Sequence, residues 1–208
     1  MTKHPAFYEE LKQDNCAILL IDHQAGLFLG VQSIDQQILR NNAVALAKVA
    51  KEMNIPTVIT TSSAMGPNGP TISEISDLFT GQTIYDRSPI NLWNDDPSRK
   101  AIEATGRKKL VMAAITTDVC LLFPALSAIK AGYDVYAVID ASGTWSEKAE
   151  AATIARLNQA GVMCTNWISV AAELKYSEDS EYTDAVNKVF AEHMGLYQFM
   201  GDIQQAKK

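Results

Sequence analysis

Cys120 is the residue best placed in this sequence to act as a nucleophile. It closes the segment Thr116-Thr-Asp-Val-Cys120, just past the apolar run 110–115, where a strand gives way to a helix. A thiol in the first turn of a helix meets free backbone amides and the positive end of the helix dipole, and both favour a thiolate. Cysteine also serves as a small inert packing residue, and position alone leaves that reading open. Asp22 ends a second apolar run, 16–21. A carboxylate there is poorly solvated unless paired, so its proton affinity follows its neighbours. It could take a thiol proton as general base, or it could serve as a loop or N-cap carboxylate. Arg87, in Tyr85-Asp-Arg-Ser-Pro89, could stabilise both charges, or lie at the surface paired with Asp86.

The remaining thiols and imidazoles attract less chemistry. Cys16 and Cys164 fall inside apolar strand runs and read as packing residues. His23 would point away from Asp22 in extended chain and reads the same way. His4 and His193 lie in terminal segments and suggest no role. There is no glycine-rich phosphate fingerprint, no P-loop lysine, no G-x-S-x-G elbow and no H-x-x-x-H pair, which argues against nucleotide enzymes, serine hydrolases and zincins.

The elements that would position these residues alternate. Apolar or β-branched runs at 16–21, 56–60, 83–85, 109–115, 134–139 and 162–165 read as strands. Helical periodicity covers 35–52, 73–79, 97–105, 118–131, 147–160 and 169–174, and Gly106, Gly132 and Gly161 close three of these helices. Residues 66–70, Gly-Pro-Asn-Gly-Pro, form a loop. This rhythm predicts an α/β three-layer sandwich around a mostly parallel, roughly six-stranded, Rossmann-like sheet. In such a sheet, ligands bind beyond the carboxyl ends of the strands. The segments following the predicted strands bring Asp22, Arg87, Cys120 and several hydroxyls to that edge. The rhythm breaks after residue 176, so 1–176 reads as one domain. Residues 177–208 read as an extension, with a helix at 182–193 and a mixed tail, packing on the core or on a neighbouring subunit.

Composition bounds the function. The chain has 208 residues, a net charge of −6 and 47% hydrophobic residues. An acidic chain whose one basic run is Arg107-Lys-Lys109 does not suit nucleic acid. No apolar run approaches the length needed to span a bilayer, and residues 1–13 lack the apolar core of a secretory signal. Three separated cysteines suit neither a disulfide framework nor zinc. A cytoplasmic, reducing compartment is expected.

Ile18-Leu-Leu-Ile-Asp-His-Gln24, with Phe28 four residues on, resembles the first-strand aspartate motif of the isochorismatase-like cysteine hydrolases. Ala114-Ile-Thr-Thr-Asp-Val-Cys120 resembles their nucleophile motif. Four further segments are similar to the YcaC-like branch: Asp22-His-Gln-Ala-Gly26, the 66–70 loop, Phe123-Pro-Ala-Leu-Ser-Ala128 and Asp140-Ala-Ser-Gly-Thr144. The resemblance covers nearly the whole chain.

It implies a catalytic triad of Asp22, Arg87 and Cys120, with arginine where most of the family has lysine. Arginine stays charged, which leaves Asp22 as the base. It also implies a cis Ile115–Thr116 peptide and an oxyanion hole formed by the backbone amides of Thr116 and Cys120. Phe28, Asn91, Trp93 and Trp145 are candidate substrate-binding residues, or else packing aromatics and a packing amide. The Asp-x-His pair and extra His that bind metal in nicotinamidases are absent from this sequence, so neither metal nor cofactor is expected. The resemblance further implies a homo-oligomer, with a ring-based octamer as one form. The expected reaction is hydrolysis of a small amide-type substrate through an acyl-enzyme on Cys120. The alternative is a redox-active thiol or a ligand-binding protein on the same fold.

Overall fold

The computed structural model of the chain describes residues 9–205, so His4 and the remainder of the first eight residues lie outside the description. Six strands build one sheet: β1 (Cys16–Ile21), β2 (Thr57–Ser62), β3 (Ile84–Arg87), β4 (Lys109–Ala114), β5 (Asp134–Val138) and β6 (Met163–Thr165). Their order is β3-β2-β1-β4-β5-β6, and every neighbouring pair is parallel. The nine α-helices among the described residues are α1 (Ala25–Phe28), α2 (Gln36–Glu52), α3 (Ser73–Ser76), α4 (Asp96–Ala104), α5 (Leu122–Lys130), α6 (Glu147–Gln159), α7 (Trp167–Lys175), α8 (Thr183–His193) and α9 (Gly195–Gln205).

The strands read as unbroken apolar runs because both faces of the sheet are covered. Ile18 and Leu20 of β1, with Val111 and Ala113 of β4, pack against residues of α2, α7 and α8. Ala17, Leu19 and Ile21, with Leu110, Met112 and Ala114, pack on the other face against Ile102 of α4, Ala125 and Ala128 of α5, and Leu157 of α6. This is the expected three-layer sandwich. All six residues of β1 and of β4 are buried.

Three local expectations change. The stretch 118–131 is not one straight helix: Thr117–Leu121 forms a π-helical turn before α5, with the Leu122 amide donating to the Thr117 carbonyl. Pro124 supplies the reason. It has no N–H to offer the Cys120 carbonyl, and its ring crowds that carbonyl, so a regular α ladder cannot run through residue 120. Arg87 is the last residue of β3 rather than a loop residue. The tail beyond His193 is helical, as α9. On α8, Val186, Val189 and Phe190 are buried in the cluster that contains α2.

Candidate active site

Strand order reverses between β1 and β4, the switch point where a doubly wound sheet opens a crevice at its carboxyl edge. Asp22 leaves β1 there, and Cys120 follows β4 across from it. Asp22 has φ +56°, a left-handed conformation that aspartate tolerates better than most residues. Its carboxylate is wholly buried. One oxygen pairs with the Arg87 guanidinium, whose side chain is likewise sealed from solvent. The other accepts the Thr60 hydroxyl at 3.0 Å. Cys120 and Ser62 lie near enough to this carboxylate to favour its ionised form.

Arg87 stands on β3, two strands from β1, so only a long side chain can reach Asp22 across β2. Its other terminal nitrogen donates to the carbonyls of Pro89 and Ile90, the latter at 2.8 Å. The structure therefore brings Asp22, Arg87 and Cys120 together, and it adds Thr60, which was not singled out in the sequence. Thr60 stands in β2, between the two strand ends that carry the ion pair. Only the pairing of β1 with β2 exposes that relation.

The resting state of the sulfur differs from the sequence expectation. Burial, reinforced by the Asp22 charge beside it, pushes the Cys120 thiol up to about 12; the Thr116 amide and then Arg87 oppose this. Desolvation is the largest of these influences. Asp22 is also raised above the ordinary aspartate value, by burial first, with Arg87 opposing. The proton is therefore held firmly on sulfur, while Arg87 favours the ionised form of the carboxylate. Cys120 itself is only partly buried.

The turn that holds Cys120 is braced by the loop after β5. The Thr117 amide donates to the Gly143 carbonyl at 3.0 Å, and the Ala114 amide to the Ser142 hydroxyl at 3.0 Å. The Thr144 hydroxyl donates to Asp118 at 2.6 Å. The Ile115–Thr116 peptide is cis. On the other flank, the wholly buried Gln24 accepts from the Ser62 amide at 2.8 Å and donates to the Ser62 carbonyl at 3.2 Å and to the Gly69 carbonyl. This clamp explains the 66–70 loop. It also explains Gly26, where a Cβ would lie 2.1 Å from the Pro67 carbonyl oxygen.

The four candidate substrate-binding residues separate. Phe28 is buried with Val31, Leu39 and Ile115. Trp145 is 46% exposed, and its ring lies against Gly30, where a side chain would collide with it. Asn91 accepts from the Trp93 amide at 3.0 Å and donates to Ser127 of α5 at 2.9 Å, so its amide is already engaged. Trp93 packs edge-on against Tyr133, with ring centroids 5.5 Å apart. Tyr133 follows the far end of α5, because a helix after a parallel strand runs back toward the strand beginnings. Asn91 and Trp93 therefore pack along α5. Among the described residues, no group of three or more His, Cys, Asp or Glu is placed to hold a metal ion.

His23 is a packing residue, as expected. It is buried, and one ring nitrogen contacts the Ala141 carbonyl at 2.9 Å; that nitrogen carries the proton, since a carbonyl only accepts. Burial lowers its pKa to about 4. Unfolded chain protonates such a ring near 6.5 while the folded chain resists, so stability is full above about 6.5 and is lost as pH falls toward 4. With these two values, the loss reaches roughly 3 kcal/mol. Urea unfolding of wild type and His23→Gln between pH 7 and 4 checks this: the variant should lose stability less steeply, and equal slopes would refute the assignment.

The chain belongs to the isochorismatase family of hydrolases: the Isochorismatase domain matches residues 16–169. Within it, the chain is YcaC-like. It is 45% identical over 169 residues to "Probable hydrolase YcaC" of Escherichia coli K12, covering 80% of this chain and 81% of that protein. The crystal structure of the Escherichia coli YcaC product, described as an octameric hydrolase of unknown specificity, superposes with a TM-score of 0.94. It is 38% identical, over 97% of this chain and 98% of that one. YcaC from Pseudomonas aeruginosa, solved with hexane-2,5-diol and covalent acrylamide, superposes with a TM-score of 0.91. It is 37% identical, with coverage of 97% and 98%. Among the described residues, no helix is long and apolar enough to cross a membrane.

Proposed function

We propose that this protein hydrolyses a small amide-type substrate through a covalent acyl-enzyme on Cys120. The observation that carries the reading is the buried Asp22–Arg87 pair beside the Cys120 thiol, whose proton affinity the Asp22 charge raises. As sulfur attacks the substrate carbonyl carbon, its proton passes to Asp22. Arg87 keeps that carboxylate ionised until the transfer. The oxygen that gains charge rests on the Thr116 and Cys120 backbone amides, and the Thr116 amide already lowers the proton affinity of the sulfur. Each such donor is worth about 3 kcal/mol in comparable sites. Collapse expels the amine with the proton returned from Asp22. Water, deprotonated by Asp22, then cleaves the thioester and restores the thiol.

The covalent acrylamide in the Pseudomonas relative supports a reactive group in a protein of this fold. A peroxide-sensing thiol fits less well, because such thiols depend on a standing thiolate, whereas here the resting sulfur holds its proton. The octameric state of the Escherichia coli relative supports a homo-oligomer for this chain. The free cysteines suit a reducing, cytoplasmic setting.

The test is a panel of small primary amides, read by ammonia release and by intact mass under acid quench. The expected result is ammonia with at least one amide, together with an acyl increment that peptide mapping assigns to Cys120. A panel that yields neither would refute the reading.

A further inference from the structure

We infer that the outward face of α9 is a contact surface between copies of this chain; this rests on the homo-oligomer reading above. α9 has two unlike sides. Toward the core, Tyr197 packs edge-on against Phe190, with ring centroids 5.4 Å apart, and its hydroxyl donates to Asn187 at 3.2 Å. Away from it stand Leu196, Phe199, Met200 and Ile203, which are 79%, 60%, 65% and 43% exposed. At 100° per residue, this i, i+3, i+4, i+7 spacing puts all four within an arc of about 100°.

Scattered exposed apolar residues are ordinary on a protein surface, whereas a continuous stripe marks a contact. Among the described residues, four of the eleven large exposed apolar side chains fall on this one 11-residue helix. A helix of that length, holding two glycines, is marginal in water without a packed face.

The chemistry of the helix selects the partner. A helix lying on a membrane carries lysine and arginine on its polar side. Residues 195–205 contain no cation, and their only charge is Asp202. A second copy of an acidic chain can cover an uncharged stripe without opposing charge. The superposition on the octameric relative omits only 3% of the 208 residues, about six, so at least the first part of α9 lies within the shared structure.

Sedimentation velocity on the full-length chain tests this, comparing wild type with Phe199→Glu/Met200→Glu at equal concentration. Far-UV circular dichroism reports whether the helices persist. The expected result is a wild-type oligomer and a folded variant of at most half its mass. Should the double glutamate lose helix content, Phe199→Gln/Met200→Gln decides the same question. An oligomeric wild type whose mass survives these substitutions overturns the α9 contact alone. A monomeric wild type overturns this inference together with the homo-oligomer reading. Wild type that stays monomeric and co-sediments with phosphatidylglycerol vesicles assigns the stripe to lipid instead.

Discussion

Replacing Cys120 with alanine should abolish turnover while the protein stays folded. Losing the nucleophile of a relay that works as a unit costs on the order of 10³–10⁶ in kcat, because neither Asp22 nor Arg87 can form the covalent intermediate. Stability should move by less than about 1 kcal/mol, since the side chain is small and only partly buried. The Asp22–Arg87 pair, which holds the strand ends together, is untouched. Cys120→Ser sharpens the comparison: it keeps a hydroxyl donor toward Asp22 but is a far weaker nucleophile, so it should be nearly as inactive. Ammonia release, intact mass and a thermal melt are the three measurements. Residual turnover within tenfold of wild type in the alanine variant would exclude a cysteine mechanism; an inactive and unfolded variant would show that the residue serves the fold instead.

Asp22→Asn should damage catalysis and stability together, which separates it from Cys120→Ala. Asparagine cannot accept the thiol proton, and loss of a positioned general base costs roughly 10²–10⁴ in rate. It also leaves the Arg87 guanidinium buried without its counter-charge. Breaking one side of a buried pair costs about 3–5 kcal/mol, and here the low end applies because the amide oxygen still accepts a hydrogen bond. For a chain of this size, about 3 kcal/mol lowers Tm by roughly 6–12 °C. Arg87→Leu combined with Asp22→Asn should recover part of that loss, since the doubly changed protein buries no unpaired charge. Strict additivity of the two losses would mean that the ion pair is not coupled in solution.

The pH profile follows from the same pair. The proposed reaction needs an ionised Asp22, and burial raises its pKa. Activity therefore falls, as pH is lowered, at a higher pH than an ordinary aspartate would dictate. Removing the Arg87 charge takes away a group that holds Asp22 down, so Arg87→Gln should move the acid limb of kcat/KM further up.

Much of the architecture is legible along the chain because element type is a local property. Runs such as Cys16–Ile21 can only be strands covered on both faces, and residues with amphipathic spacing such as 36–52 can only be helices against them. Alternation of the two then leaves a parallel sheet as the natural solution, which places Asp22, Arg87 and Cys120 at one edge. Local patterns misled where a single residue overrides its neighbours' propensity, as Pro124 does in turning the start of α5 into a π-helical turn. They were silent on the α9 helix, whose apolar stripe stays largely exposed.

What the sequence by itself determined is the element order and the three residues, Asp22, Arg87 and Cys120, that meet at one sheet edge. Only the tertiary structure decided that Thr60 bonds to Asp22, that Asn91 and Trp93 contact Ser127 and Tyr133, and that burial raises the thiol's proton affinity. The physical reason is that proton affinity and contact depend on strand order and on water excluded by distant segments. Desolvation of Cys120 and its charge neighbours is a sum over residues from β1, β3 and β4, and no window of consecutive residues contains that sum.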